Sequence, residues 1–485
     1  MPPRNLAIFR RTPLLLLLTV SVSACDLIYP YEPPAVETPT QFIEKPADDV
    51  SAAWPTQHWW ENYGSAELNT LVSQALAGNN DLAAAEARLR AADAQVRISG
   101  GALLPTLQAD FSDTRTYTGN ASTGVNTVGG VTTFGGSNPY RTTYNARLQA
   151  AYEIDFWGKN RSAAYAAEAT RDAQQFDRDT LALSTSGSVV SVYFELLTTR
   201  ERLSIAHNNL ANAKKTLAAL QRRFDAGLIS RLDVAQQQTT VSQFEAAIPP
   251  LELSLSQNRD ALAKLLGVLP EKLTLSPTTK LGDIKLPAIP SGLPSELLAR
   301  RPDVARAEAQ LVSQHANINA ARAAFFPSIS LTGSGGFVSR ALETLILPES
   351  QLVALAGAVS QPIFQPGTLL GGLDLTKAQY DELLANYRQS IIASFADTED
   401  ALAGVRRGAE KVTAQTSLQR AARDAHALSK RQFEGGIVDI TSVLATERSL
   451  YSAEDSTATA RRDQLNATAT LYQALGGGWS KPAAD

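Results

Sequence analysis

The 485-residue chain has one cysteine, one methionine and four histidines. A lone cysteine, Cys25, excludes an intramolecular disulfide and any cysteine-based metal centre. The histidines His58, His207, His315 and His426 are scattered. None stands in the His-Glu-x-x-His spacing of a zinc hydrolase, so no metal site is expected. Gly158-Lys159 lacks the glycine loop of a phosphate-binding motif. Gly333-Ser334-Gly335-Gly336 leads on into strand pattern and not into a helix, so a dinucleotide site is excluded too. Basic excess is missing: the formal net charge is −4, which gives no electrostatic reason to bind nucleic acid. No enzyme activity is expected. Glu86 and Glu308 stand on helices and read as structural carboxylates.

The apolar run 14–20 is too short for a membrane-crossing helix, which needs about 20 residues. With Arg4, Arg10 and Arg11 before it and Ser23-Ala24 after it, it reads as an export signal over residues 1–24. Its loss removes three arginines and no acid, taking the net charge from −4 to −7. Val22-Ser23-Ala24-Cys25 resembles a bacterial lipobox, which implies a covalent lipid on Cys25. Such an anchor holds a membrane by burying acyl groups at about 0.8 kcal/mol per CH₂. Residues 25–65 then read as an extended tether, because Tyr29-Pro30-Tyr31-Glu32-Pro33-Pro34 can neither continue a helix nor pair as a central strand.

The remainder is built twice. At an offset of 222, Asp81, Ala85, Glu86, Leu89, Ala94 and Pro105 match Asp303, Ala307, Glu308, Leu311, Ala316 and Pro327. At an offset of 209, Gly158, Arg222, Phe224, Gly227, Val234, Leu262, Leu266 and Gly267 match Gly367, Arg431, Phe433, Gly436, Val443, Leu471, Leu475 and Gly476. A period this long means a duplicated fold half and not a solenoid. The expected boundaries are a first repeat over 66–267, a proline-rich linker over 268–294, a second repeat over 295–476 and a tail over 477–485.

Within each repeat two patterns alternate. Residues 161–226 contain no proline and one glycine, and residues 373–434 no proline and two glycines. A continuous helix of the first length is about 100 Å long and too polar for lipid, so it packs in water as a coiled coil. Each long helix ends at a glycine turn and returns antiparallel, giving helical hairpins over about 159–266 and 367–475. Pro249-Pro250 is expected to kink the first return. Residues 66–100 read as two helical pieces broken at Gly78-Asn79-Asn80, with Asp81 as the cap.

The second pattern is strict alternation. Tyr144, Ala146, Leu148, Ala150, Tyr152, Ile154 and Phe156 are apolar, while Asn145, Arg147, Gln149, Glu153 and Asp155 between them are polar, as in a strand between lipid and water. Leu107, Ala109 and Phe111 would be its partner, closing a β-hairpin over about 105–157. A second hairpin over about 327–364 carries Ile329, Leu331, Val353, Leu355, Val359 and Ile363. Four strands cannot close a membrane barrel, which takes about eight at the least. Three copies would supply twelve.

Arg301-Pro302-Asp303-Val304, Ala324-Phe325-Phe326-Pro327-Ser328-Ile329-Ser330-Leu331, Gln361-Pro362-Ile363-Phe364, the two Phe-x-x-Gly turns and Leu475-Gly476-Gly477-Gly478-Trp479 together resemble the TolC-like outer-membrane factors. The match is to the NodT-type efflux lipoproteins and covers nearly the whole mature chain. The resemblance implies a mixed α and β membrane protein: a homotrimer whose twelve-stranded β-barrel, four strands per chain, continues into a coiled-coil tunnel across the periplasm. It implies an outer-membrane exit duct for drugs or other small toxic compounds. A periplasmic membrane-fusion adaptor and an inner-membrane resistance-nodulation-division pump would feed it. A duct for type I protein secretion shares the fold, and a non-conducting structural lipoprotein is the rival from another class. On this resemblance Arg222, Phe224, Gly227, Leu228, Arg431, Phe433, Gly436 and Ile437 meet the adaptor at the helix tips. Asp424, near the tip, is the candidate for a pore ring of three like carboxylates, and its counterpart Lys215 would make that ring an alternating acidic and basic one sealed by ion pairs. Asp26, directly after the lipidated cysteine, matches an inner-membrane retention signal of enteric bacteria, and sorting rules differ between bacteria.

Overall fold

The computed structural model describes residues 29–35, 39, 42–43, 54–117, 124–128, 131–135, 140–288, 300–365 and 367–481. The expectations for the signal over 1–24, for Cys25 and for Asp26 lie outside the described residues. The chain divides into two compact units.

The first unit holds residues 93–169 and 312–381 with the N-terminal residues up to Pro33. Its centre is an antiparallel sheet of β1 (Thr106–Tyr117), β4 (Tyr140–Ile154), β5 (Ser328–Ser339) and β6 (Gln351–Ser360), in the order β1-β4-β5-β6. Between β1 and β4, the Gly- and Thr-rich insert forms a separate two-stranded ribbon, β2 (Gly124–Val128) with β3 (Val131–Gly135). The alternation ends earlier than the sequence pattern suggests. Phe156 lies beyond β4, and Ile363 lies beyond β6 and is fully open to the surroundings at 89% exposure. At the strand ends the chain is pinned: Trp157 stacks on Phe326 and donates its indole N–H to the Pro327 carbonyl at 2.8 Å. Asp155 accepts from the backbone N–H groups of Asn160 and Arg161, capping the next helix. The N-terminal segment is tied to the same unit by Asn319, whose amide donates to the Tyr29 carbonyl, and by Arg322, whose guanidinium lies 4.6 Å from the Tyr29 ring centre.

The second unit holds residues 34–92, 170–311 and 382–485. Among the described residues the α-helices are α1 (Ala66–Gly78), α2 (Asn80–Gly101), α3 (Lys159–Asp225), α4 (Arg231–Leu265), α5 (Pro302–Ala323), α6 (Thr368–Glu434) and α7 (Ile440–Ala474). The sequence offsets return in these bounds. Those of α2 and α5, and of β1 and β5, differ by 222; those of α3 and α6, and of α4 and α7, differ by 209. Helix α4 is continuous through Pro249 and Pro250. The cap of α2 is Asn79 and not Asp81: its Oδ1 accepts from the N–H groups of Asp81 and Leu82, and its Nδ2 donates to the Leu265 carbonyl at 2.9 Å. One side chain thus serves a helix start and a tertiary contact, and Asp81 becomes a first-turn residue.

The largest core of this unit gathers Trp59, Tyr63, Leu68, Val72, Val189, Tyr193, Phe194, Leu262, Leu281 and Tyr472. Trp59 stacks on Tyr472, and Tyr63 meets Phe194 edge-on. Each such side chain, fully buried, contributes roughly 1.5–3 kcal/mol. Gly187, the glycine within α3, leaves room for Gln473 of α7; a Cβ there would coincide with the Gln473 amide.

Candidate functional site

Strand register decides what the sheet can face. Leu107, Ala109 and Phe111 stand opposite Ala150, Leu148 and Ala146. Ala146, Leu148, Ala150, Tyr152 and Ile154 stand opposite Phe337, Gly335, Gly333, Leu331 and Ile329. Ile329, Gly333 and Gly335 stand opposite Val359, Leu355 and Val353. Because side chains alternate between faces, all of these share one face, and every one is apolar. The other face carries Gln108, Asp110, Asn145, Arg147, Gln149, Glu153, Ser330, Thr332 and Ser334, with alanines on β6 and, towards one end, Val338 of β5 and Leu352 of β6. No described residue covers the apolar face: Leu107 is 73% exposed and Leu355 86%. Its run on β4 from Tyr144 to Ile154 suits the about 9–11 residues of a membrane-crossing strand. Beyond it, Tyr117 and Tyr140 lie against each other at 5.0 Å. The outer edges of β1 and β6 have no partner strand among the described residues.

The two helix tips repeat one geometry. Gly227 and Gly436 each have φ near +73°, where a side chain is strained, and neither is crowded, so the strain is the only obstacle to a larger residue. In each turn two carbonyls of the helix end are satisfied. Leu228 N–H donates to Arg223 and Gly227 N–H to Phe224; Ile437 N–H donates to Gln432 and Gly436 N–H to Phe433. Leu228 and Ile437 project outward, both about three-quarters exposed. Arg222, Phe224 and Arg431 are exposed as well, whereas Phe433 is half-buried beneath the Arg223 guanidinium at 4.9 Å. The return helices start on matched caps: Ser230 accepts from the Asp233 N–H and Asp439 from the Ser442 N–H. Hydrogen bonds from Thr441 and Ser442 hold the Asp439 carboxyl below the usual range. Leu220, Ile440, Val443 and Leu444 form the small core that stiffens the tips.

The two pore candidates are placed differently. Asp424 is exposed on α6. Lys215, exposed on α3, lines a cavity of about 450 Å³ together with Arg223, His426, Lys430, Phe433, Glu434 and Glu447. Asp424 is not among the residues lining it. Lys214, not Lys215, forms the neighbouring ion pair, with Glu245 at 2.7 Å. Glu447 was missed in the sequence. Its signal is a carboxylate in the apolar stripe Val443, Leu444, Leu450, Tyr451.

Arg301 of the Arg-Pro-Asp motif is nine-tenths buried and joins three segments. It binds Asp303 through Nε and Nη2 at 3.0 and 2.7 Å, Asp397 at 3.0 Å, and the carbonyls of Ser394 and Ala474. Burial pushes the Asp303 carboxyl up, but the Arg301 hydrogen bonds and charge outweigh it and hold it below the usual range. Glu86 pairs with Arg178 and Glu308 with Lys481.

The sequence profile of a family described as outer membrane efflux protein matches residues 71–268 and 293–477. The pyoverdine export outer membrane protein OpmQ of Pseudomonas putida is 37% identical over 467 residues, covering 96% of this chain and 97% of its own. The toluene efflux pump outer membrane protein TtgC of Pseudomonas putida is 31% identical and covers 96% of each chain. Among solved structures, the open state of the Neisseria gonorrhoeae MtrE outer membrane channel matches with a TM-score of 0.84 at 31% identity, covering 95% of this chain and 100% of its own.

Proposed function

This chain belongs to the outer membrane efflux protein family, and on that footing we propose how it is assembled and what passes through it. It is the outer-membrane channel component of a tripartite efflux system, seated in the outer membrane and extending into the periplasm. Three copies close a barrel of twelve strands, because four strands are too few and the free edges of β1 and β6 need partners. The observation that carries this reading is the register that collects most of the large apolar residues of the four strands on one face while Arg147, Gln149 and Glu153 look the other way, into a wet lumen. The two like halves of the chain give the trimer six similar helical hairpins.

The channel is a passive duct for small molecules, with no bond made or broken. A resistance-nodulation-division pump supplies the energy, and a periplasmic adaptor grips the six tips through Arg222, Phe224, Leu228, Arg431, Phe433 and Ile437. Cys25 carries the lipid that fastens the tether to the membrane. Three-fold symmetry gathers three Asp424 carboxylates near the tips, with Lys215 as their basic counterpart; like charges repel and favour cations in the resting pore. Purified protein in planar bilayers tests the duct: it should conduct ions, and Asp424→Ala should raise the resting conductance. A protein that assembles into trimers but never conducts would be a structural lipoprotein instead.

A further inference from the structure

The tip cavity holds polar groups that the described residues leave unanswered. Asn209, Lys215 and Arg223 of α3, His426, Lys430 and Glu434 of α6 and Glu447 of α7 line it over an apolar floor of Leu220, Ile440 and Val443. Glu447 is 7% exposed, and among the described residues its Oε2 has no hydrogen-bond partner; the buried Nδ2 of Asn209 has none there either. A buried polar atom without a partner costs about 1–3 kcal/mol, so two around one cavity mark a place built for a visitor.

We propose that this cavity is a socket for an acidic side chain of the periplasmic adaptor, received by the Asn209 amide and the Lys215 and Lys430 ammonium groups. The proposal rests on the reading that an adaptor grips the tips, and names the chemistry it must present. Charge points to an acid: three cations, Lys215, Arg223 and Lys430, face the cavity against Glu434 at the rim and Glu447 within. Burial pushes the Glu447 carboxyl above its ordinary range, against the pull of Lys430 and Arg448. Burial, then Lys430, hold His426 below its own, against Glu454. A protonated Glu447 presents its O–H as one more donor beside the Asn209 amide. Docking an anion beside an ionised Glu447 is repulsive, so docking takes up a proton, and affinity falls as pH rises.

The test is made in cells carrying the full chain and its native partners. A photo-crosslinking amino acid is placed at Thr216, inside the cavity, or at Leu228, on the outer tip, and crosslinked peptides are sequenced. The Thr216 probe should capture an adaptor segment within one helical turn of an Asp or Glu, more at pH 5.5 than at pH 7.5. Lys430→Glu, or the milder Lys215→Gln if the former does not assemble, should lower that yield roughly tenfold, the scale of one charge-assisted hydrogen bond, and leave Leu228 capture intact. Glu447→Gln should keep the yield and abolish its pH dependence. Capture at Leu228 with none at Thr216, capture of a basic or apolar segment, or capture of a second copy of this chain overturns the socket and leaves the tip reading standing. No adaptor at either position overturns the tip reading itself.

Discussion

Arg147 of β4 stands directly across the ladder from Asp110 of β1, Nε to Oδ2 at 3.9 Å. That cross-strand pair fixes which way each neighbouring side chain looks. Leu148, one residue on, is on the opposite face, between Ala109 and Gly335. Leu148→Arg therefore puts a charge in lipid, at about 2–4 kcal/mol at mid-depth, and should reduce the trimer recovered from outer membranes. Gln149→Arg faces the lumen and should assemble as the parent does. Equal losses from both would sink the assignment of faces.

At the tips, Gly227 and Gly436 need a left-handed backbone and have open space around them. Gly227→Leu with Gly436→Leu should strain each turn by roughly 1–2 kcal/mol without touching a core. A heat-labile trimer should still appear on a gel, while adaptor crosslinking and efflux fall. Loss of the trimer would mean that the turns hold the fold and not the adaptor.

The Arg301–Asp303 pair makes stability depend on pH. The Asp303 carboxyl is held below its ordinary value of about 3.9, so its contribution is present above about pH 4 and is lost as pH falls through the lower folded value. Asp303→Asn should lower the melting temperature of the trimer at pH 7 and leave a smaller difference at pH 3. An equal difference at both pH values would show that the pair does not titrate in this way.

For the anchor, Cys25→Ser should abolish labelling by a radioactive fatty acid. The barrel should still insert, because the apolar band supplies most of the membrane affinity. Label that survives the change would refute the lipobox.

Some of this architecture could be read in advance because it rests on local chemistry. The glycine that ends α3 and the glycine that ends α6 are each needed by a left-handed turn, and the Leu148 and Gln149 alternation follows from the two-residue period of a strand. What could not be read depends on neighbours distant in sequence. Asn79 outcompetes Asp81 as a cap because it also reaches the Leu265 carbonyl. Glu447 sits in an apolar stripe, and nothing in its own helix announces that the cavity beside it is lined by α3. The β2–β3 ribbon lies in a stretch of small polar residues whose composition favours no element, and Ile363 keeps the apolar pattern of β6 although the ladder has already ended.

The central claim is that three copies close one barrel through the edges of β1 and β6. In the Cys25→Ser background, Ala109→Cys is combined in turn with Val353→Cys, Leu355→Cys, Gly357→Cys and Val359→Cys. Oxidised outer membranes are then run on a non-reducing gel. Strand partners lie within about 4.5–5.5 Å, so at the native register disulfides should form between copies and give covalent species up to a trimer and no larger. Crosslinks absent at every register, or a ladder continuing past three, would contradict the account.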